Sequence, residues 1–381
     1  MGTGLSMKTK SLYKNSISKL VFLLIYTNLL IRNISKKITN NKFNLLLIIF
    51  FSETACDRMP IRNYSTYYNF IHIAENEILL KKYESSLSNY KEAFKSVETP
   101  FAIDYYNAAI CAIHTNSIDL SYKYMDKLVQ KGCNINFFNQ KVFDTLRKNS
   151  KGWQQFKSNY NRNKHIFEQK INLELREQVI NLVKRDQQQY CKPNRALHID
   201  SIHYVNEVVK NEFNELIQQK GFPSEHLIGL EIINDTIIST SMTHVLLLHQ
   251  YQDGDFEMNK DLRQYILDGK IRNREAAAIY EFFDERAFGT QVLQEWDNIL
   301  YERTCSSQEK DRIDFNREYF LMESYESYKK KVYYQYVSGN SLQFDFGFYW
   351  AKMKADNSPP KDILQYLTEN NFYIEVKNCD K

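Results

Sequence analysis

Shifting residues 67–100 along the chain by about 35 positions lays them on 102–134 with small residues over small and large apolar residues over large. Ala74 falls on Ala109 and Ser86 on Ser121; Phe70 falls on Tyr105, Tyr83 on Ile118, Tyr90 on Met125, and Ala93-Phe94 on Leu128-Val129. A period near 34 residues with this alternation is the pattern of stacked helix pairs. It restricts the fold more than any other feature, because one such pair cannot bury its apolar face alone and must stack on a neighbour. The predicted helices are 67–81, 84–96, 103–115 and 118–131, interrupted by Thr99-Pro100 and stopped by Gly132. Within 103–115, Tyr105, Ala108, Ala109 and Ala112 form a narrow face that allows close helix approach. A degenerate third pair follows, marked by Val142, Phe143 and Leu146 and then Trp153, Phe156 and Tyr160, and is expected to cap the array.

The rest of the 381 residues is also poor in chain breakers, with 11 Gly and 6 Pro, which favours helix throughout. A long charged helix is predicted over 167–189, with Leu173, Val179, Ile180 and Val183 as its apolar stripe. Another is expected over 201–220, stopped by Gly221-Phe222-Pro223. The run 227–250 is apolar on one side and is the expected central core helix. Helices at 256–267 and 274–288, a Tyr- and Lys-rich helix at 325–336 and a short strand at 372–377 complete the prediction. The expected fold is mostly α: a short helical-hairpin array plus a second all-helical domain. The expected organisation is a signal or anchor segment at 1–56, the array at 65–165, a helical domain at 166–335 and an extension at 336–381.

The net charge of +4 belongs to the front of the chain. Residues 1–42 hold eight of the 50 basic residues and no acidic one, leaving 42 basic against 46 acidic residues beyond. No basic cluster of the kind that grips a phosphate backbone is left, so nucleic acid is not an expected partner. Two apolar runs, 20–31 and 43–51, are each shorter than the ~20 residues of a membrane-spanning helix and each follow lysines. The second continues Ser52-Glu53-Thr54-Ala55-Cys56, which resembles the cleavage box of bacterial lipoproteins, although Glu53 stands where that box carries an apolar residue. This resemblance implies lipid on Cys56 and a place in the cell envelope, periplasmic or at the outer membrane. Two alternatives are a membrane hairpin of both runs with cytoplasmic domains behind it, and 20–31 alone acting as the signal. The five other cysteines, Cys111, Cys133, Cys191, Cys305 and Cys379, are widely spaced and lack a CxxC pair, so neither zinc nor a disulfide framework is predicted.

The wording of the second hairpin, Asp104-Tyr105-Tyr106-Asn107-Ala108-Ala109 and then Tyr124-Met125-Asp126-Lys127-Leu128 and Gly132, resembles a tetratricopeptide repeat over roughly 65–160. That resemblance implies protein binding on the concave face of the array. A second resemblance, over about 170–330, is to the bacterial domain of unknown function 6624 family. It is carried by Arg185-Asp186-Gln187, Gly221-Phe222-Pro223, His249 ending an apolar run, Asp284 and Arg286, and Gly289-Thr290-Gln291, with Asp314, Arg317 and Leu321 in a closing segment. Glu285 intervenes between Asp284 and Arg286, and the stretch before Gly289 is short. The family implies no activity.

Three functions follow as expectations, the last of them a purely structural envelope protein. The leading one is a cell-envelope lipoprotein that binds another protein through its helical repeats. The alternative is a hydrolase-type enzyme with His249, Asp284, Arg286 and Gln291 as catalytic residues. His249 and Asp253, four apart, would share a helix face. His244 and His249 are five apart, about 140° around a helix, so one metal ion cannot easily take both. No Gly-rich phosphate loop and no GxSxG elbow are present, and no cofactor is expected. An open groove on the repeats would favour the binder; a groove filled by the following domain would count against it.

Overall fold

The computed structural model describes residues 63–190, 199–233, 235–238, 241–251, 258–284, 286–290, 293–296, 299–338, 342–344 and 373–375. They begin with two helix pairs, α1 (Tyr64–Leu79) with α2 (Tyr83–Ser96) and α3 (Ala102–His114) with α4 (Ile118–Val129). Asn63 starts α1 by accepting the Thr66 amide on its side chain, which satisfies one of the amides a helix start leaves open. The two turns repeat bond for bond at the 35-residue shift. Lys81 N donates to Ile78 O and Lys82 N to Glu77 O; Asn116 N donates to Ile113 O and Ser117 N to Ala112 O. Lys81 and Asn116 carry the same left-handed backbone, at φ 56° and 55°. Such a residue just past a helix returns the chain antiparallel while satisfying the last carbonyls. Ala74, Ala109, Ser86 and Ser121, the small residues of the repeat, are all fully buried, as are Tyr90 and Met125. Ser86 Oγ lies 3.5 Å from Cys111 Sγ, a contact only small side chains permit between neighbouring helices.

The third unit keeps the aromatic core and loses the helix pair. Its first member is two 3-10 turns, Ile135–Asn139 and Lys141–Phe143, followed by the short α5 (Asp144–Lys148). Its second is α6 (Ser150–Lys170), seated by Phe156 and the half-buried Trp153. Gly152 lies against the Tyr122 ring, where a Cβ would come within 2.3 Å, so this approach needs glycine.

The predicted helix 167–189 is two helices. α6 stops at Lys170, and α7 (Leu173–Tyr190) restarts after Asn172, whose side chain accepts the Leu175 amide. The buried stripe of α7 is Leu175, Val179, Leu182 and Asp186; Leu173, predicted to face inward, is 59% exposed. α8 (Ile199–Lys220) pairs with it. The predicted core helix 227–250 is corrected most. It is α9 (Glu225–Ile228), an antiparallel hairpin of β1 (Glu231–Ile233) and β2 (Thr236–Ile238), and α10 (Ser241–Gln250). Asp235 turns the hairpin at φ 62°, and runs of isoleucine suit a strand as well as they suit a helix. α11 (Met258–Leu267) and α12 (Asn273–Glu281) follow. A three-stranded antiparallel sheet orders as β3 (Leu293–Trp296), β4 (Ile299–Arg303) and β5 (Tyr373–Glu375), with α13 (Ser307–Tyr319) and α14 (Tyr325–Ser338) between the last two strands in sequence. The fold is mostly α, as expected from the sequence.

One hydrophobic core runs from Tyr64 to Phe344 without a break at the array's end. The inner face of the array is covered by later parts of the chain. Eleven of the thirteen residues of α3 are buried. Asn107 exchanges two hydrogen bonds with the Gln343 backbone, at 2.9 Å each. Tyr68 accepts the Asn273 amide, and Asn76 accepts Ser327 Oγ at 2.8 Å. Among the described residues, no helix is long and apolar enough to cross a membrane.

Candidate functional site

His249 sits in the last turn of α10 and meets a carboxylate from α7. Its Nδ1 lies 2.5 Å from Asp186 Oδ1, with the Asp186 side chain fully buried and the histidine 17% exposed. The second Asp186 oxygen accepts Gln187 Nε2 at 2.7 Å. Asp186 is brought there by helix periodicity, because it stands four residues after Leu182 on the buried stripe of α7. A carboxylate on Nδ1 puts the ring proton on that nitrogen and makes Nε2 the basic one. This is the arrangement in which a buried acid orients a histidine for proton transfer. Asp186 is the partner that the sequence reading left out of its site. The usable signal was a carboxylate occupying an apolar-stripe position, which in a folded core needs a partner.

Asp284 and Arg286 are placed otherwise. Both are more than a third exposed, and both turn to α13, Asp284 to Arg312 at 3.4 Å and Arg286 to Glu309 at 3.1 Å. Gln291, Asp253 and Cys56 lie outside the described residues. Gly289-Thr290 has a structural task. The Thr290 amide and hydroxyl and the Phe288 amide all donate to the Glu281 carboxylate, closing the end of α12. Burial raises the Glu281 pKa above the ordinary carboxylate range, against the lowering by these hydrogen bonds. Gly289, at φ 60°, leaves room for the Tyr325 ring, which a Cβ would meet at 2.5 Å. A cavity of about 60 Å³ opens beside them, lined among others by Arg286, Arg303, Cys305 and Tyr325. The closing-segment residues are also structural. Arg317 is fully buried, donating to Glu323 O and Phe288 O, and Asp314 accepts the Tyr325 amide at 2.6 Å.

A second polar assembly lies between the array and the tail. Glu75 of α1 receives Arg274 at 2.8 Å and Lys331 at 2.7 Å. Glu323 receives the same two cations at 2.7 Å and 3.3 Å. All four side chains are at most 4% exposed. Burial alone would raise both carboxylates, but Arg274 and Lys331 hold Glu75 and Glu323 below their ordinary range. His72 adds Nδ1 at 3.1 Å from Glu323, and its ring with the two glutamates gives three donor atoms within 4.8 Å of one another. The donors do not fit a resident metal ion. One oxygen of each carboxylate is already engaged by the two buried cations, which a metal's charge would repel within a dry core. Beside them, Tyr67 donates to Asp104, whose carboxyl burial pushes up to about 6.

No family model, no curated protein and no solved structure matches the chain.

Proposed function

We propose that the chain is a hydrolase-type enzyme of the bacterial cell envelope, with His249 as general base and Asp186 as the residue that positions it. The observation that carries this reading is the 2.5 Å contact between a fully buried carboxylate and Nδ1 of a histidine that keeps 17% of its side chain exposed. Exposure alone does not single out His249, since His72 and His226 keep 15% and 16%; what supports the reading is a buried acid on Nδ1 of a ring that is not sealed, because a base must reach its substrate. Asp284 and Arg286 take no catalytic part in this reading, since their partners are the exposed charges of α13.

The repeats serve as support. The binding-module alternative needs an open face over residues 67–160, and part of the array, Tyr68, Glu75, Asn76 and Asn107, is engaged by Asn273, Arg274, Ser327, Lys331 and Gln343.

The test is a screen of the purified chain against chromogenic carboxylic and phosphoric esters. His249→Asn and Asp186→Asn are expected to lower turnover by about 10²–10⁴, the usual worth of a positioned base, while Asp284→Asn keeps it. No turnover of any ester, or turnover unchanged in His249→Asn, overturns the reading. Attachment to the envelope rests on the apolar run 43–51 ahead of Cys56. Wild-type protein is expected to incorporate labelled fatty acid and Cys56→Ser to lose the label; a labelled Cys56→Ser overturns lipidation.

A further inference from the structure

A cavity of about 120 Å³ belongs to neither assembly. It opens where the Thr99-Pro100 break, the C-terminal ends of α4 and α6, and the start of α9 converge. Those ends explain its charge. Lysine is favoured in and after a last helical turn, where carbonyls point outward, and Lys127, Lys131 and Lys170 all arrive this way. Helix ends explain lysines singly; they do not explain three turned into one concavity.

The floor is built and fixed. Glu225 is buried, its Oε1 accepting the Ala102 amide at 3.0 Å and facing Lys131 Nζ at 3.1 Å. Lys131 Nζ also donates to His226 Nδ1 at 2.7 Å. His226 is neutral there, since burial and the Lys131 charge push it down to about 3. Lys131 is therefore held by one carboxylate and one neutral ring, with 15% of its side chain still exposed. Lys127 is held below the ordinary lysine range by burial and then by the Lys170 and Lys123 charges. The lining has three lysines against two glutamates, Glu225 and the exposed Glu98, with Asp126 beside Lys127 outside it, so positive charge predominates on the cavity wall itself. The walls are apolar: Tyr105, Phe167, Pro100 and Ile171.

We infer that this cavity binds a small organic carboxylate, its head group taken by Lys127, Lys131 and Lys170 and its compact apolar body set against Tyr105 and Phe167. Size limits the body. At about 120 Å³ the cavity is smaller than the ~150 Å³ that accommodates benzene, so a short branched chain fits, a single ring fits only with its carboxylate at the open mouth, and a long acyl chain does not fit. The apolar walls select an organic anion over a bare inorganic one, which would leave those walls wet. The site uses none of the residues assigned to proton transfer.

The experiment titrates the full chain with benzoate, with benzyl alcohol as its uncharged counterpart, and with inorganic phosphate, followed by calorimetry. Saturable benzoate binding is expected, with benzyl alcohol and phosphate each at least about tenfold weaker, one charge contact being worth about that factor. Lys170→Gln, at an exposed position that does not endanger the fold, is expected to weaken benzoate about tenfold. Lys131→Met is expected to abolish binding while keeping a cooperative unfolding transition. His249→Asn should leave benzoate binding unchanged, so failure of the catalytic reading and failure of this one are read separately. Absence of saturable benzoate binding overturns the site. Phosphate binding as tight as benzoate overturns the organic class. Unchanged affinity in Lys170→Gln and Lys131→Met overturns the location.

Discussion

Two polar assemblies lie in the same core and differ in one respect. In the Glu75–Arg274–Glu323–Lys331 assembly every charged group is sealed, none more than 4% exposed. In the Asp186–His249 pair one member is sealed and the other reaches outward. The four charged groups of the first leave no face of their own for a substrate and join α1 to α12 and α14, although His72 beside Glu323 is 15% exposed. The second keeps a titratable ring at a boundary. Buried charge alone therefore says little about chemistry; what separates the two is whether any member of the group can still meet something from outside.

The widest break of this comparison is by acid, which protonates surface groups at little cost in stability and groups with shifted pKa values at a larger one. An unfolded histidine binds its proton near pH 6.5. In the fold His226 is held at about 3 and His244 at about 4, both by burial. Between these values the unfolded chain binds more protons, so stability falls as pH drops below about 6.5. Asp104, held at about 6, works the other way between about 4 and 6, since there the folded chain binds the extra proton, and it moderates the slope. Below about 4 the lowered pKa values of Glu75 and Glu323 add a further loss as their ion pairs are protonated. Urea midpoints measured across pH 3–8 should fall towards acid and steepen below about 4; a flat profile would mean that burial does not hold these groups away from their ordinary pKa values. At neutral pH, Glu75→Ala leaves Arg274 and Lys331, two buried cations, sharing the one carboxylate of Glu323 and should cost about 3–5 kcal/mol in chemical unfolding. A cost below about 1 kcal/mol would remove the assembly's structural role.

Gly269→Ala gives a steric reference with no charge involved. Gly269 has φ 68° and faces the Tyr64 ring, where a Cβ would come within 1.9 Å. The combined backbone and contact penalty should be about 2–3 kcal/mol. Asp186→Asn should cost less, about 1–2 kcal/mol, because the amide keeps the shape while losing the charge that faces His249. A cost as large as that of Glu75→Ala would place the pair with the sealed, structural kind. Smallest of all, Arg185→Ala removes a bidentate but exposed contact to Glu212 and should change stability by at most about 1 kcal/mol.

The array was legible because its constraint is local. Ala74 and Ala109, or Ser86 and Ser121, must be small for adjacent helices to approach, and that requirement is written at a fixed spacing. The hairpin at 231–238 was not legible, since Ile232, Ile233, Ile237 and Ile238 satisfy a helical stripe and a strand alike, and only the turn at Asp235 decides. The break between α6 and α7 hangs on one Asn172 cap inside a charged stretch. In the candidate site, His249 was found by its apolar surroundings, while its partner lies 63 residues earlier in the chain. Glu75 and Lys331 carry no local signal, and Arg317 only a place in the closing segment of a resemblance, because what buries them arrives from distant segments.

That distance has a temporal meaning. Glu75 waits 199 residues for Arg274 and 256 for Lys331, and Asn107 waits 236 for Gln343. At ribosomal speeds of about 5–20 residues per second, the nascent array exists for about 10–50 seconds before its partners are synthesised. During that interval its inner face is wet and open to any chaperone or neighbouring chain that meets it. A product ending before Lys331 never leaves that state, so premature termination should yield an array that is helical, soluble only with assistance, and a target for proteolysis.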